Sequence, residues 1–168
     1  LLSLRGRSAL PPGNEYFVCQ LTTRLPQVGD PLLICGFVAL DSVARRSSRM
    51  RLGGSMRVSH GTVTDVWPVR RDTVMLPSTS FAVHCPAVGG MSGGAVFDAV
   101  GDLVGVLSSS LDGDDVAHCT HIWPALVGFT QVVWPVSLVN TTLLRMGMKH
   151  GISITRPDAF LPAVKEGK

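Results

Sequence analysis

A serine set among glycines, Gly89-Gly90-Met91-Ser92-Gly93-Gly94, runs into the strand-like Ala95-Val96-Phe97. A serine hydroxyl is a poor nucleophile at neutral pH. It needs a base to take its proton and donors to hold the oxyanion that forms. Glycines let the backbone turn tightly enough for two N–H groups to point at one spot beside the hydroxyl. Ser92 is therefore the candidate nucleophile, and the plain alternative is a glycine-rich loop with an incidental serine. The spacing Gly90-x-Ser92-x-Gly94 also fits a nucleophile elbow, with an acid among Asp112, Asp114 and Asp115 and a base among His118, His121 and His150. An elbow requires a helix directly after the serine, whereas the residues here read as a strand and a turn. A second pattern places soft ligands at His84-Cys85 and His118-Cys119-Thr120-His121. Neighbouring strand residues point to opposite faces, so each His-Cys pair offers one ligand at best. The expectation is a buried cysteine beside a half-exposed histidine, with no metal and no other cofactor; a structural zinc is the alternative.

The elements that must hold Ser92 are short. Apolar or alternating runs fall at Leu32–Val38, Met56–Val66, Ser80–Cys85, Ala95–Asp98, Leu103–Ser109 and Thr130–Trp134, separated by Gly, Pro, Asp and Ser. Ala99-Val100-Gly101-Asp102 reads as a hairpin turn. Six strands at this spacing predict an all-β antiparallel barrel or sandwich. One weak helical pattern spans Ser137–Met148, which Gly151 would end, and residues beyond Pro157 read as a loose tail.

Four segments, in order along the chain, resemble the chymotrypsin/trypsin-like serine peptidases, the Deg-type bacterial branch most of all. Gly90-Met91-Ser92-Gly93-Gly94-Ala95-Val96-Phe97 is similar to its Gly-Asn-Ser-Gly-Gly-Pro signature, and Gly101-Asp102-Leu103-Val104-Gly105-Val106-Leu107-Ser108 to the strand that follows. Val28-Gly29-Asp30-Pro31-Leu32-Leu33-Ile34-Cys35-Gly36-Phe37 and Val58-Ser59-His60-Gly61-Thr62-Val63-Thr64 are similar to two earlier strands of the same barrel. The resemblance implies a chymotrypsin-like six-stranded antiparallel β-barrel, the second of a two-barrel protease, followed by a short C-terminal helix. It divides the chain into a crossover segment at 1–25, the barrel at 26–136, and a helix and tail at 137–168. It makes Ser92 the nucleophile and the N–H groups of Gly90 and Ser92 the oxyanion donors. Ser108 would hold an extended peptide substrate through its backbone, Ser109 and Ser110 would line the specificity pocket, and Pro86 would fall at its floor. Two residues depart from the pattern: Ala95 stands where Pro is usual, and Met91 where Asp or Asn is usual, which puts the anchoring of the loop in question. Cys85 is too far upstream to match the cysteine of the secreted branch, which implies a disulfide-free member.

A serine triad also needs a histidine base and an acid. Only His60 and His84 precede Ser92, and neither sits in the family's Ala-Ala-His-Cys context. The chain opens Leu1-Leu2-Ser3-Leu4, without Met. The expectation is the C-terminal part of a longer serine endopeptidase, inert alone, whose missing N-terminal barrel is its partner and whose substrate is a protein or peptide. Such a barrel should present an apolar face to that partner. The rival reading is a catalytically inactive barrel used as a binding module.

Composition bounds the rest. Of 168 residues 45% are hydrophobic and 16% charged, enough apolar material for a core and too little charge for general disorder. No apolar stretch reaches the roughly 18 residues of a membrane helix, so no membrane partner is expected. The net charge is +3, and four arginines cluster in Arg45-Arg46-Ser47-Ser48-Arg49-Met50-Arg51. That cluster reads as a solvated loop; nucleic acid is not expected as a partner, because no aromatic residue is interleaved for stacking. Four separated cysteines without a CxxC pair favour a reducing, cytoplasmic setting.

Overall fold

In the computed structural model, residues 19–46, 49–110, 115–130, 141–142, 144 and 154–155 are described. Alternation of inward and outward side chains builds most of what they form. The strands are β1 (Leu21–Thr22), β2 (Pro31–Arg46), β3 (Arg49–Trp67), β4 (Ser80–His84), β5 (Ala95–Phe97), β6 (Leu103–Ser110) and β7 (Val116–His121). A short helix, α1 (Trp123–Val127), comes next, then the small strands β8 (Phe129–Thr130), β9 (Thr141–Thr142) and β10 (Ile154–Thr155).

Six strands in the order β6-β5-β2-β3-β4-β7 form an antiparallel sheet that the β6–β7 pairing closes into a barrel. This is the chymotrypsin-like architecture that the sequence resemblance implied. β1 adds to the outside of β6 in parallel, through Leu21 opposite Leu103, and β10 pairs with β1. The barrel is filled from every strand: Leu32 and Ile34, Val63, Phe81 and Val83, Val96, Val104 and Leu107, Ala117 and Cys119 are all buried. Full burial of an Ile or Phe side chain stabilises by about 1.5–3 kcal/mol, so Ile34 and Phe81, both with no exposed surface, are principal contributors.

Three sequence expectations change. The closing strand is β7, not Thr130–Trp134, of which only Thr130 is described, paired in β8 with Thr141. β7 turns Ala117, Cys119 and His121 inward and keeps Val116, His118 and Thr120 less buried. With a histidine on each face and small inward residues, its apolar signal is weak. Second, the described helix lies at Trp123–Val127, where Pro124 suits the first turn and buried Leu126 anchors the turn. The helix expected at Ser137–Met148 lies outside the described residues, except for Thr141, Thr142 and Leu144. Third, the arginine cluster is not a loop. β2 and β3 run on past the barrel as a paired arm that reaches Arg46 opposite Arg49. Cys19, Cys35, Cys85 and Cys119 are free thiols.

The turn at Ala99-Val100-Gly101-Asp102 joins β5 to β6 as expected. Asp98 Oδ1 accepts the N–H groups of Val100 and Asp102 at 3.0 and 2.9 Å. The segment after the serine is thus strand, turn and strand, which removes the nucleophile-elbow reading.

Candidate active site

Ser92 sits at the exposed turn of a loop that lies flat on β2. The loop is anchored by Met91, whose side chain has no exposed surface and belongs to the barrel core. This answers the departure noted in the sequence: an apolar anchor stands where the family pattern has a polar one. Close approach of backbones completes the seat. A Cβ on Gly94 would stand 2.6 Å from the Cys35 carbonyl oxygen and 2.7 Å from that of Met91. Gly90 and Gly93 have φ of +93° and +84°, conformations that a side chain disfavours.

The use of backbone donors along this loop alternates. The N–H of Met91 donates to the Val88 carbonyl at 3.2 Å, that of Gly93 to Leu107 at 2.7 Å, and that of Gly94 to Met91 at 2.9 Å. Among the described residues, the N–H groups of Gly90 and Ser92 donate to no backbone carbonyl. Two unused donors therefore lie on either side of Met91, one of them on the exposed serine itself, and the bonds of their neighbours hold the loop's path.

A cavity of about 480 Å³ opens beside Ser92. Its walls are Gly90, Ser92, Gly93 and Gly94 from the loop, Cys35, Gly36 and Phe37 from β2, Met56 from β3, and Ala95 and Phe97 from β5. No charged side chain and no histidine lines it. Burial pushes the Cys35 thiol up from its ordinary pKa, so it is a neutral wall group. The walls follow from register: Phe37 stands opposite Met56, Cys35 opposite both Val58 and Ala95, and Leu33 opposite Phe97. Phe37, Met56 and Val58 are 54%, 64% and 45% exposed, an apolar outer face continuous with the cavity. The sequence reading did not single out these residues. Their signal was the period-two apolar run of β2, but their convergence needs the pairing.

Other residues singled out in the sequence lie elsewhere. Pro86 is exposed, and its carbonyl accepts the Ser59 hydroxyl at 2.7 Å. Ser108 Oγ is 2.6 Å from Thr120 Oγ1, at an irregularity between Leu107 and Ser109 where β6 meets β7. Ser109 pairs with His118 and Ser110 with Ala117. None of Pro86, Ser108, Ser109 and Ser110 lines the cavity. His60 is exposed on the same outer face as Met56 but four residues along β3, about 13 Å away at the strand rise. His84 is exposed on β4, with buried Cys85 beside it. His118 packs near Trp67, ring centroids 6.3 Å apart, and its neighbour Cys119 is buried. His121 is buried, with Nε2 3.1 Å from the Arg24 carbonyl and Nδ1 accepting the Trp123 N–H at 3.1 Å. The His-Cys pairs thus divide between the two faces of their strands. Among the described residues, no three His, Cys, Asp or Glu side chains converge as a metal site would require.

Comparison with known proteins adds the following. The active form of the Rv3671c protease from M. tuberculosis is similar over 68% of this chain and 50% of that one, with 15% identity and a TM-score of 0.48. The HtrA-type protease AlgW with a decapeptide is similar over 76% and 31%, with 18% identity and a TM-score of 0.46. The tobacco etch virus protease complexed with product is similar over 61% and 37%, with 14% identity and a TM-score of 0.37. The chain spans half or less of the length of each of these three structures. None of the curated proteins matches it. The trypsin-like peptidase domain family matches residues 1–106, a span that holds β1 to β5, the Ser92 loop and the start of β6. On that match over more than half its length, the chain belongs to the family of trypsin-like peptidase domains.

Proposed function

We propose that this chain is the nucleophile-bearing barrel of a serine endopeptidase. Ser92 Oγ attacks the peptide carbonyl carbon, and the N–H groups of Gly90 and Ser92 hold the oxyanion. The amine leaves with a proton relayed by a base, and water then hydrolyses the acyl-enzyme and regenerates Ser92. The observation that carries the reading is the pair of N–H groups left unused on either side of Met91, next to an exposed serine. Removing one oxyanion donor of this kind typically costs about 100–1000-fold in rate. The base and the acid come from a partner barrel of the same protein. The apolar face of Phe37, Met56 and Val58, continuous with the Ser92 cavity, supports a partner docked there. We assign Ser109 and Ser110 as walls and Pro86 as floor of a specificity pocket separate from the cavity beside Ser92, which none of the three lines. With no carboxylate among these, the preferred residue before the cut is uncharged and small to medium, such as Ala, Val or Leu, because a buried cation needs a partner.

The test is a fluorophosphonate probe on two samples: this chain alone, and the protein extended upstream. Stoichiometric labelling of Ser92 is expected in the second and none in the first. Labelling of the isolated chain would force a histidine within it into the role of base. Absence of labelling in both would favour the second reading, an inactive barrel that binds partners. That reading has its own support in a cavity with neither histidine nor carboxylate on its walls.

A further inference from the structure

We infer that the β2–β3 arm is an anionic-peptide reader: it recruits substrates that carry an acidic segment a few residues from the bond cut at Ser92. The inference rests on the peptidase reading above for the word substrate, while the arm's binding preference stands on its own observations. The arm leaves the barrel beside the nucleophile loop. A Cβ on Gly90 would lie 3.6 Å from Val38 Cα and 3.7 Å from the Phe37 carbonyl oxygen. From Val38 outward the pairing has two irregularities, and Ala39 takes a φ of +51°. Irregularities of this kind bend a strand and increase its twist. The arm is therefore a distinct projection rooted at the site, not a continuation of the barrel wall.

Its charge is concentrated and one-signed. Residues 39–53 hold Arg45, Arg46, Arg49 and Arg51 against a single acid, Asp41. That surplus of three equals the net charge of the whole chain, +3, so the remaining residues sum to zero. The register sets Arg46 directly opposite Arg49, and Arg51 opposite Ala44. An anionic occupant complements this one-signed charge. Between Ala39 and Gly53 there is no aromatic residue, which removes the stacking platform of a single-stranded nucleic-acid site. The arm's root at Ser92 favours a polypeptide as the occupant.

Reach sets the spacing. Arg45 lies six residue steps beyond Ala39, at most about 20 Å at the strand rise. An extended peptide covers that distance in about six residues, and the bends shorten it. The acidic segment is therefore expected about four to six residues from the scissile bond.

The probes are fluorescein-labelled peptides with a central Ala-Val-Leu and a Glu-Asp-Glu block about five residues to either side, matched by isosteric Gln-Asn-Gln peptides. Anisotropy on the full chain is read at roughly 20 and 150 mM salt, a range over which exposed charge pairs are progressively screened. One acidic peptide is expected to bind about tenfold more tightly than its neutral match at low salt, from a few exposed ion pairs acting together. The variant R45Q/R46Q/R49Q/R51Q should lose that preference and keep its circular dichroism and neutral-peptide affinity. The control R70Q/R71Q, which removes two exposed cations elsewhere, should keep the preference. Equal binding of acidic and neutral peptides would overturn the inference, as would a preference that survives in the arm variant. So would tighter arm-dependent binding of an oligonucleotide or of phosphatidylserine vesicles at 150 mM salt. Labelling at Ser92 without any acidic preference sinks the arm alone. Arm-dependent acidic binding with Ser92 inert in the extended protein sinks the peptidase reading alone.

Discussion

Substituting Gly94→Ala should unseat the Ser92 loop. The new Cβ would stand 2.6 Å from the Cys35 carbonyl oxygen, 2.7 Å from the Met91 carbonyl oxygen and 3.0 Å from Gly36 Cα. All three are backbone atoms, so no rotamer change makes room. Displacing the loop also strains two bonds, Gly94 N–H to the Met91 carbonyl at 2.9 Å and Leu107 N–H to the Gly94 carbonyl at 2.8 Å. Overpacking costs about 1–3 kcal/mol, and a weakened hydrogen bond about 1 kcal/mol more. The expected loss is about 2–4 kcal/mol, read as a fall of roughly 1–2.5 M in the urea midpoint at the usual slope. Gly93→Ala is the internal comparison. Gly93 has a φ of +84° but nothing within 4 Å of a Cβ, so only backbone strain applies, about 1 kcal/mol. The Gly94 variant should shift at least twice as far as the Gly93 variant. Equal shifts, or a Gly94 variant within about 0.3 M of wild type, would refute the claim that backbone contact with β2 sets the loop's position.

Burial holds the His121 imidazole below its ordinary pKa of 6.5, against an opposing effect of its bond to the Arg24 carbonyl. The unfolded chain then binds the extra proton first, so stability should be constant above about pH 6.5 and fall as pH drops below it. His121→Asn should flatten that slope in urea melts while lowering stability near neutral pH by about 1–2 kcal/mol; an unchanged slope would show that another group carries it. Phe37→Ser with Met56→Ser should at least roughly halve the binding of an apolar dye to the isolated chain and reduce its self-association in sedimentation, since both side chains are more than half exposed on one face. No change in either measurement would mean that this face is not the sticky one.

The sequence alone determined the fold class and marked the glycine-flanked loop around Ser92 as the candidate site, because both rest on short-range patterns. Ser92 between glycine pairs is a local signal, and so is the alternation in Leu32–Val38 and Leu103–Ser109 that places Ile34 and Leu107 inward. That only two histidines, His60 and His84, precede the serine was equally legible. Tertiary structure alone decided three things. It chose β7 as the closing strand, whose small and polar inward residues carry too little apolar contrast to be read locally. It turned the arginine cluster from a loop into a paired arm, because two strands of 16 and 19 residues continue their ladder beyond the barrel. And it decided which donors stay unused: Met91, Gly93 and Gly94 find carbonyls on Val88, Leu107 and Met91, leaving Gly90 and Ser92 without one. Side-chain alternation depends on neighbours two residues apart. Register and backbone hydrogen-bond use depend on segments tens of residues away, and no local window contains them.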